Sequence, residues 1–333
     1  MSETFEEYNK EATSVYTSTG DKILYHPDII KYLKAKQNRP TVLHIMPTEI
    51  CNLNCSFCSV AQRGKEGRLY PDLTMKQIKY VVETLIEKSL KAVVLSGGGE
   101  TVLYPQINEL IEYLRIRNIE VGLVTNGIFL KEKVSKKNLN RLSWVRVSIN
   151  SLDTLDNIEL PEFGEGTTFG MSYIWNPLSE KRFETVKKYI KEMKPEYVRL
   201  LPDCNLSDAD LEEAHKKLRK LAEELGKPYF HQYKVHRQPK ECHLGRIHPV
   251  LYTDGMIYPC DSLVLNSPKD NKKFNQDYAL CKWDEIRTFM KGTIEGSLIN
   301  TKNCHNCVFS RQNKILTEII NGEREAIKHL NFL

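Results

Sequence analysis

From Thr41 onward the chain alternates short runs of apolar, often β-branched residues with longer stretches whose apolar positions recur at helical spacing, six times in succession. No other feature restricts the fold as much. Tandem β–α units set their strands side by side in a parallel sheet. Right-handed crossovers then curl that sheet or wind it both ways. The predicted strands are Val42–Met46, Ala92–Leu95, Val121–Val124, Trp144–Ile149, Thr168–Ile174 and Tyr197–Leu201. Thr74 reads as an N-cap with Gln77 at the capping-box position. Behind it Ile78, Val81, Val82, Leu85 and Ile86 give one apolar face. Further helices are predicted at Ile107–Arg117, Lys131–Leu142, Arg182–Met193 and from Ser207 to Leu225, with Gly226 as a stop. Six units are too few for an eight-stranded barrel.

The α/β pattern occupies residues 41–235. Residues 1–40 form a lead-in with one predicted helix, Asp28–Lys36, ended before Pro40. After residue 235 helical periodicity fades and cysteines return, so residues 236–310 read as a smaller, metal-dependent unit. Residues 311–333 read as a helix with Ile315, Ile319, Ile320 and Ile327 as its apolar face.

The N-terminus is acidic and lacks the apolar core of a signal peptide. No apolar run approaches the length that spans a bilayer. A cytoplasmic address with reduced thiols is expected, and nine cysteines then point to metal rather than disulfides. The net charge of +5 is spread along the chain. The clusters Lys131, Lys133, Lys136, Lys137 and Lys216, Lys217, Arg219, Lys220 fall on predicted helices and read as solvated faces. No basic motif interleaved with aromatics suggests a nucleic-acid surface.

Directly after the first strand come Cys51, Cys55 and Cys58, at C-x3-C-x2-C spacing. Three thiolates so placed can wrap one face of a cubic iron–sulfur cluster, whose usual complement is four. The iron left over would be open, as catalytic metal positions are. Structural zinc and a disulfide framework are the alternatives. Zinc favours a second cysteine or histidine pair, and none lies nearby in sequence.

With Phe57 in its aromatic slot, this motif resembles the signature of the radical SAM enzymes. The resemblance implies a partial (β/α)6 TIM-type barrel over residues 41–235. It also implies a [4Fe–4S] cluster on Cys51, Cys55 and Cys58, and S-adenosylmethionine bound at the open iron. Reductive cleavage then yields a 5′-deoxyadenosyl radical that takes a hydrogen atom from substrate, with electrons from a donor such as flavodoxin or ferredoxin. Ser96-Gly97-Gly98-Gly99-Glu100 ends the second strand and resembles the family's G-G-E motif, which makes Gly98, Gly99 and Glu100 candidates for holding the cofactor ammonium. Thr125 and Asn126 end the third strand. Ser148 and Asn150 end the fourth, with Asn150 where the family often has an acid that meets the ribose. Arg199 lies inside an apolar strand and is a candidate catalytic residue. An arginine there should meet an acid, the cofactor carboxylate or a substrate. Tyr173 and Trp175 read as core.

In the second unit Cys242, Cys260, Cys304 and Cys307 would complete a cluster with no open iron. Zinc suits four cysteines equally. A hairpin, Val250–Thr253 against Met256–Tyr258 across Asp254-Gly255, delivers Cys260. The arrangement resembles the Twitch form of the SPASM auxiliary-cluster module, with spacing similar to the amino-cyclitol dehydrogenase of butirosin biosynthesis. Cys204 and Cys281 read as buried apolar thiols, with Cys281 an alternative ligand. The expected function is oxidation of a small molecule, the auxiliary [4Fe–4S] cluster accepting an electron. The alternative is radical modification of a peptide or nucleic acid, including epimerisation, crosslinking or maturation.

Overall fold

The computed structural model describes residues 16, 20–59, 70–233, 237–265, 276–304 and 307–322. Seven strands run parallel in chain order: β1 (Val42–Ile45), β2 (Ala92–Leu95), β3 (Glu120–Thr125), β4 (Trp144–Ser148), β5 (Thr168–Trp175), β6 (Tyr197–Pro202) and β7 (Tyr229–His231). The architecture is the expected partial barrel of parallel strands, lengthened by the short β7 beside β6.

Helices cover one face of the sheet. They include α2 (Met75–Ile86), α3 (Ile107–Ile116), α4 (Leu130–Lys133), α5 (Lys136–Leu139), α6 (Ser179–Met193) and α7 (Asp208–Leu225), whereas α1 (Pro27–Lys34), which precedes β1, joins a separate cluster. The capping box of α2 forms as predicted, Thr74 and Gln77 each bonding the other's backbone N–H. The single helix expected over 131–142 is instead two short ones. The chain turns extended at Val134, and the Ser135 hydroxyl accepts from Asn138 N–H to start α5 afresh.

Strand alternation sorts the side chains. Val145, Val147, Met171, Tyr173, Val198 and Leu200 join the large core under the helices. Trp144, Arg146, Ser148, Ser172 and Arg199 lie on the opposite, lumen face. Glycines make room there: a Cβ at Gly170 would sit 2.0 Å from the Tyr197 ring, and one at Gly122 2.1 Å from Trp144.

The second cysteine unit is continuous with the barrel. Its hairpin, β8 (Val250–Leu251) and β9 (Met256–Tyr258), adds to the free edge of β1, and β10 (Cys281–Lys282) closes the order β10-β9-β8-β1-β2-β3-β4-β5-β6-β7. Short helices α8 (Asp261–Leu265) and α9 (Ile286–Lys291) complete it. The last described helix, α10 (Ser310–Asn321), packs Leu316 and Ile320 against Ile29 and Leu33 of α1. Each fully buried leucine there stabilises the contact by about 2 kcal/mol. The first and last described helices therefore meet. Ile315 and Ile319 border this cluster, and Ile327 lies outside the described residues.

Candidate active site

The loop carrying Cys51, Cys55 and Cys58 leaves the carboxyl end of β1. Cys51 is exposed, Cys55 and Cys58 are half-buried, and none of the nine cysteines forms a disulfide. Burial pushes the Cys55 thiol up to about 11, aided by repulsion from Cys58 and Cys51. Burial raises Cys51 too, opposed by the backbone N–H groups of Leu53 and Asn52. Phe57 is buried in the same loop.

Two turns grip this loop. Gly99 N–H donates to Thr48 O at 2.9 Å and Glu100 N–H to Ile50 O at 2.7 Å. The approach is so close that a Cβ on Gly99 would lie 2.2 Å from Ile50 O, and Gly98 adopts φ +75°. The glycine run is thus built onto the backbone that enters Cys51. Asn126 Nδ2 reaches across from β3 to Asn52 Oδ1 at 2.8 Å.

Glu100 is buried and joins these parts. Its carboxylate accepts from Thr125 Oγ1 at 2.6 Å, Asn126 N–H at 2.6 Å and Val102 N–H at 3.2 Å. Burial raises its pKa, and these three donors pull the other way. Gly98, Gly99, Glu100, Thr125 and Asn126 are therefore gathered around the cysteine loop.

Other candidates are placed differently. Strand β4 stops at Ser148, so Asn150 falls in a 3-10 turn. Its side chain bridges β4 to β5, accepting from Ile174 N–H and donating to Ile174 O, both at 2.8 Å, and to Asp153 at 3.0 Å. Among the described residues Arg199 meets no acid. Its Nη1 donates to Gln232 Oε1 at 2.7 Å, and burial together with nearby Arg146 holds its pKa well below the usual value. Tyr173 and Trp175 pack around Phe183, as expected of core. Cys204 is not a buried apolar thiol: it is exposed, its Sγ 3.9 Å from Phe57 O.

Sequence reasoning missed two acids. Asp153 is buried, accepts from Tyr173 Oη at 2.5 Å and Asn176 Nδ2 at 2.7 Å, and is an electrostatic neighbour of Cys55. Glu49 accepts from Tyr70 N–H at 3.0 Å and from the Tyr252 hydroxyl, linking the cysteine loop to the second unit. The acid three residues past Asn150 was visible in Ser151-Leu152-Asp153; Glu49 carried no signal.

The other thiols divide. Cys242 and Cys260 are buried, Cys304 and Cys307 half-buried, and Cys242 is an electrostatic neighbour of both Cys307 and Cys304. Cys260 is a neighbour of Cys242 and Cys307. Burial pushes Cys242 up to about 12 and Cys307 to about 11. The backbone N–H groups of Leu244, Leu263 and Phe309 face the sulfurs of Cys242, Cys260 and Cys307 and favour their thiolates. Cys281 sits apart, its electrostatic neighbours being Glu285 and Asp284. Among the described residues no group of three or more His, Cys, Asp or Glu side chains converges tightly enough to hold a single metal ion. A cubane places its thiolates on separate irons, a looser demand.

A model of the Radical SAM superfamily matches residues 45–218, more than half of the chain. The chain belongs to the radical SAM superfamily. The superfamily uses a [4Fe–4S] cluster and S-adenosylmethionine, and the three-thiol loop with its N–H-solvated sulfurs fits such a cluster. The chain is 35% identical over 133 residues to a GTP 3′,8-cyclase of Aquifex aeolicus, covering 38% of this chain and 40% of that one. It is 31% identical over 111 residues to an S-adenosylmethionine-dependent nucleotide dehydratase of Flammeovirga pacifica, covering 33% and 38%. The matched stretches thus span about two fifths of these relatives' length. Among solved structures, native anSMEcpe with bound AdoMet aligns at a TM-score of 0.54 and 16% identity, over 83% of this chain and 88% of that one. That likeness concerns the fold. No described helix is long and apolar enough to cross a membrane.

Proposed function

We propose that Cys51, Cys55 and Cys58 hold the superfamily cluster and that the protein dehydrogenates a small molecule. The observation that carries the first part is the convergence of three strand ends on one loop. The cysteine loop, the Gly97–Glu100 turn and Thr125-Asn126 are joined by Glu100 and Asn126 at the carboxyl ends of β1, β2 and β3, where parallel α/β folds place ligands. The cluster supplies one-electron cleavage of S-adenosylmethionine to a 5′-deoxyadenosyl radical.

The chain's own groups position and shield. Gly98 and Gly99 let backbone approach the cofactor ammonium, and the Glu100 carboxylate sets a negative charge behind them. Thr125 and Asn126, pinned by Glu100, close that side, and Phe57 packs beneath the loop. Ser148 offers a hydroxyl at the end of β4. Asn150 shapes the ribose side through Asp153 and β5. Cys242, Cys260, Cys304 and Cys307 would hold an auxiliary [4Fe–4S] cluster in a Twitch/SPASM-like unit. One substrate electron would leave with the abstracted hydrogen atom and the other would pass to this cluster, while a flavodoxin or ferredoxin would supply the separate electron that cleaves S-adenosylmethionine.

A second reading, radical chemistry on a nucleotide, draws on the printed names of the curated relatives. One experiment tests both. The protein, reconstituted without oxygen, is incubated with S-adenosylmethionine, reductant and candidate alcohols or nucleotides, and products are identified by mass. A product two hydrogens lighter supports dehydrogenation, a dehydrated or cyclised nucleotide supports the second reading, and no 5′-deoxyadenosine from any mixture overturns both.

A further inference from the structure

Two cations stand inside the barrel without a paired acid among the described residues. Arg146 projects from β4 and Arg199 from β6, both on the lumen face. Each remains partly exposed, yet the Nε of each is buried and without a hydrogen-bond partner. Among the described residues neither forms an ion pair, and their polar contacts are Arg199 Nη1 to Gln232 Oε1 at 2.7 Å and Arg146 to the Tyr197 hydroxyl. Asp261, the one acid whose charge reaches Arg146, lies instead 3.9 Å from His44.

The strand register sets their heights. Arg146 pairs with Gly170 on β5, and Ser172, the next lumen residue of that strand, pairs with Arg199. The two guanidinium groups therefore occupy adjacent layers on either side of β5. Gly170 leaves the space between them to the Tyr197 ring. Ser172 is buried on the same face. Two like charges held close together and half-buried repel and lose hydration, and burial with Arg146 nearby lowers the pKa of Arg199 accordingly. An anion between them would relieve both costs, and planar guanidinium forks suit one.

We propose that Arg146 and Arg199, with the Ser172 hydroxyl, bind an anionic group of the substrate, a phosphate or a carboxylate, inside the barrel and below the cysteine loop. The proposal rests on reading the barrel mouth as the S-adenosylmethionine site. It narrows the substrate to a molecule with a terminal oxyanion, anchored by its charge while a neutral C–H bond is presented to the mouth. Planar forks suit both oxyanions, and a doubly charged phosphate matches two guanidiniums better.

Thermal melting and calorimetry on the reconstituted full chain test this with pyrophosphate and succinate as probes. Pyrophosphate should bind and raise the melting temperature, equally with and without saturating S-adenosylmethionine. Succinate binding more tightly than pyrophosphate would assign the site to a carboxylate. Arg146→Met and Arg199→Met should each weaken the preferred probe at least tenfold, and Arg→Lys less. The methionine variants, freed of an unpaired cation, should melt no lower than wild type. Failure of wild type to bind either probe overturns the proposal without any variant. So does displacement of the probe by S-adenosylmethionine, which would give the arginines to the cofactor carboxylate, or undiminished binding in folded methionine variants. Cofactor cleavage by wild type is scored separately. Cleavage without anion binding sinks this proposal alone, and anion binding without cleavage sinks only the reading of the mouth.

Discussion

The two cysteine sets are built in opposite ways. Cys51, Cys55 and Cys58 sit within eight residues on one loop, open to the barrel mouth, and their surroundings are polar: Asn52, Asn126, Glu100 and Asp153. Cys242, Cys260, Cys304 and Cys307 span sixty-six residues and come from separate segments. Cys260 is a core residue beside Leu244, Leu263 and Tyr278, and Cys304 packs against that cluster. The first set is held by hydrogen bonds and left accessible on one side. The second is closed by apolar packing on one side, with Cys242 and Cys260 buried and Cys304 and Cys307 half-buried. An open site can admit a cofactor and do chemistry. A more enclosed one suits storing charge or holding the fold.

The largest effect should come from the open set. Changing Cys51, Cys55 and Cys58 together to Ala should abolish cleavage of S-adenosylmethionine and remove about half of roughly eight irons per chain. The melting temperature should change little, since no buried core depends on these thiols. Anaerobic iron analysis and detection of 5′-deoxyadenosine check this, and 5′-deoxyadenosine from the triple variant would erase the contrast.

Cys304→Ala with Cys307→Ala should reverse the pattern. Ligand binding in such a site is folding free energy, and a loss of about 3 kcal/mol would lower the melting midpoint by roughly 4 °C. Oxidised product should disappear while deuterium from labelled substrate still enters 5′-deoxyadenosine. Full turnover in the folded double variant would point to structural zinc or a redox-neutral reaction.

Glu100→Gln tests the polar support of the open set. The amide cannot accept from all three donors at once, so a buried donor is left unpaired at about 1–3 kcal/mol. Calorimetry should show S-adenosylmethionine bound about tenfold more weakly, with the iron content unchanged. Equal affinity would reduce the glycine run to a plain turn.

Cys281→Ala should do least. Its neighbours are acids rather than thiols, so iron content should hold and stability should fall by about 1 kcal/mol. Loss of iron would move Cys281 into the closed set.

The open site was largely legible beforehand, because its parts are local. Cysteine spacing, a glycine run after β2 and Asn126 after β3 are properties of short segments, and parallel strands bring their ends together. The second set was legible as a list of candidate ligands, and Cys281, the alternative among them, lies beside Glu285 and Asp284. Arg199 was singled out correctly as costly, but its neighbour Arg146 was not. In sequence Arg146 is an ordinary alternating position of a strand, and only the register across β5 puts it beside Arg199.

The chain by itself determined the order of elements, the caps and the first three metal-ligand candidates, since hydrophobic period and motif spacing act over a few residues. Tertiary structure decided the rest. Hairpin β8–β9 joins the edge of β1, so the second unit continues the barrel's sheet. Helix α10 returns to α1 through Leu316 and Leu33. Glu100 turns from a motif residue into a buried junction of three loops. These are pairings between residues far apart in the chain. Their energies come from burial and from hydrogen bonds that must find partners on folding, and no local pattern records which partner that is.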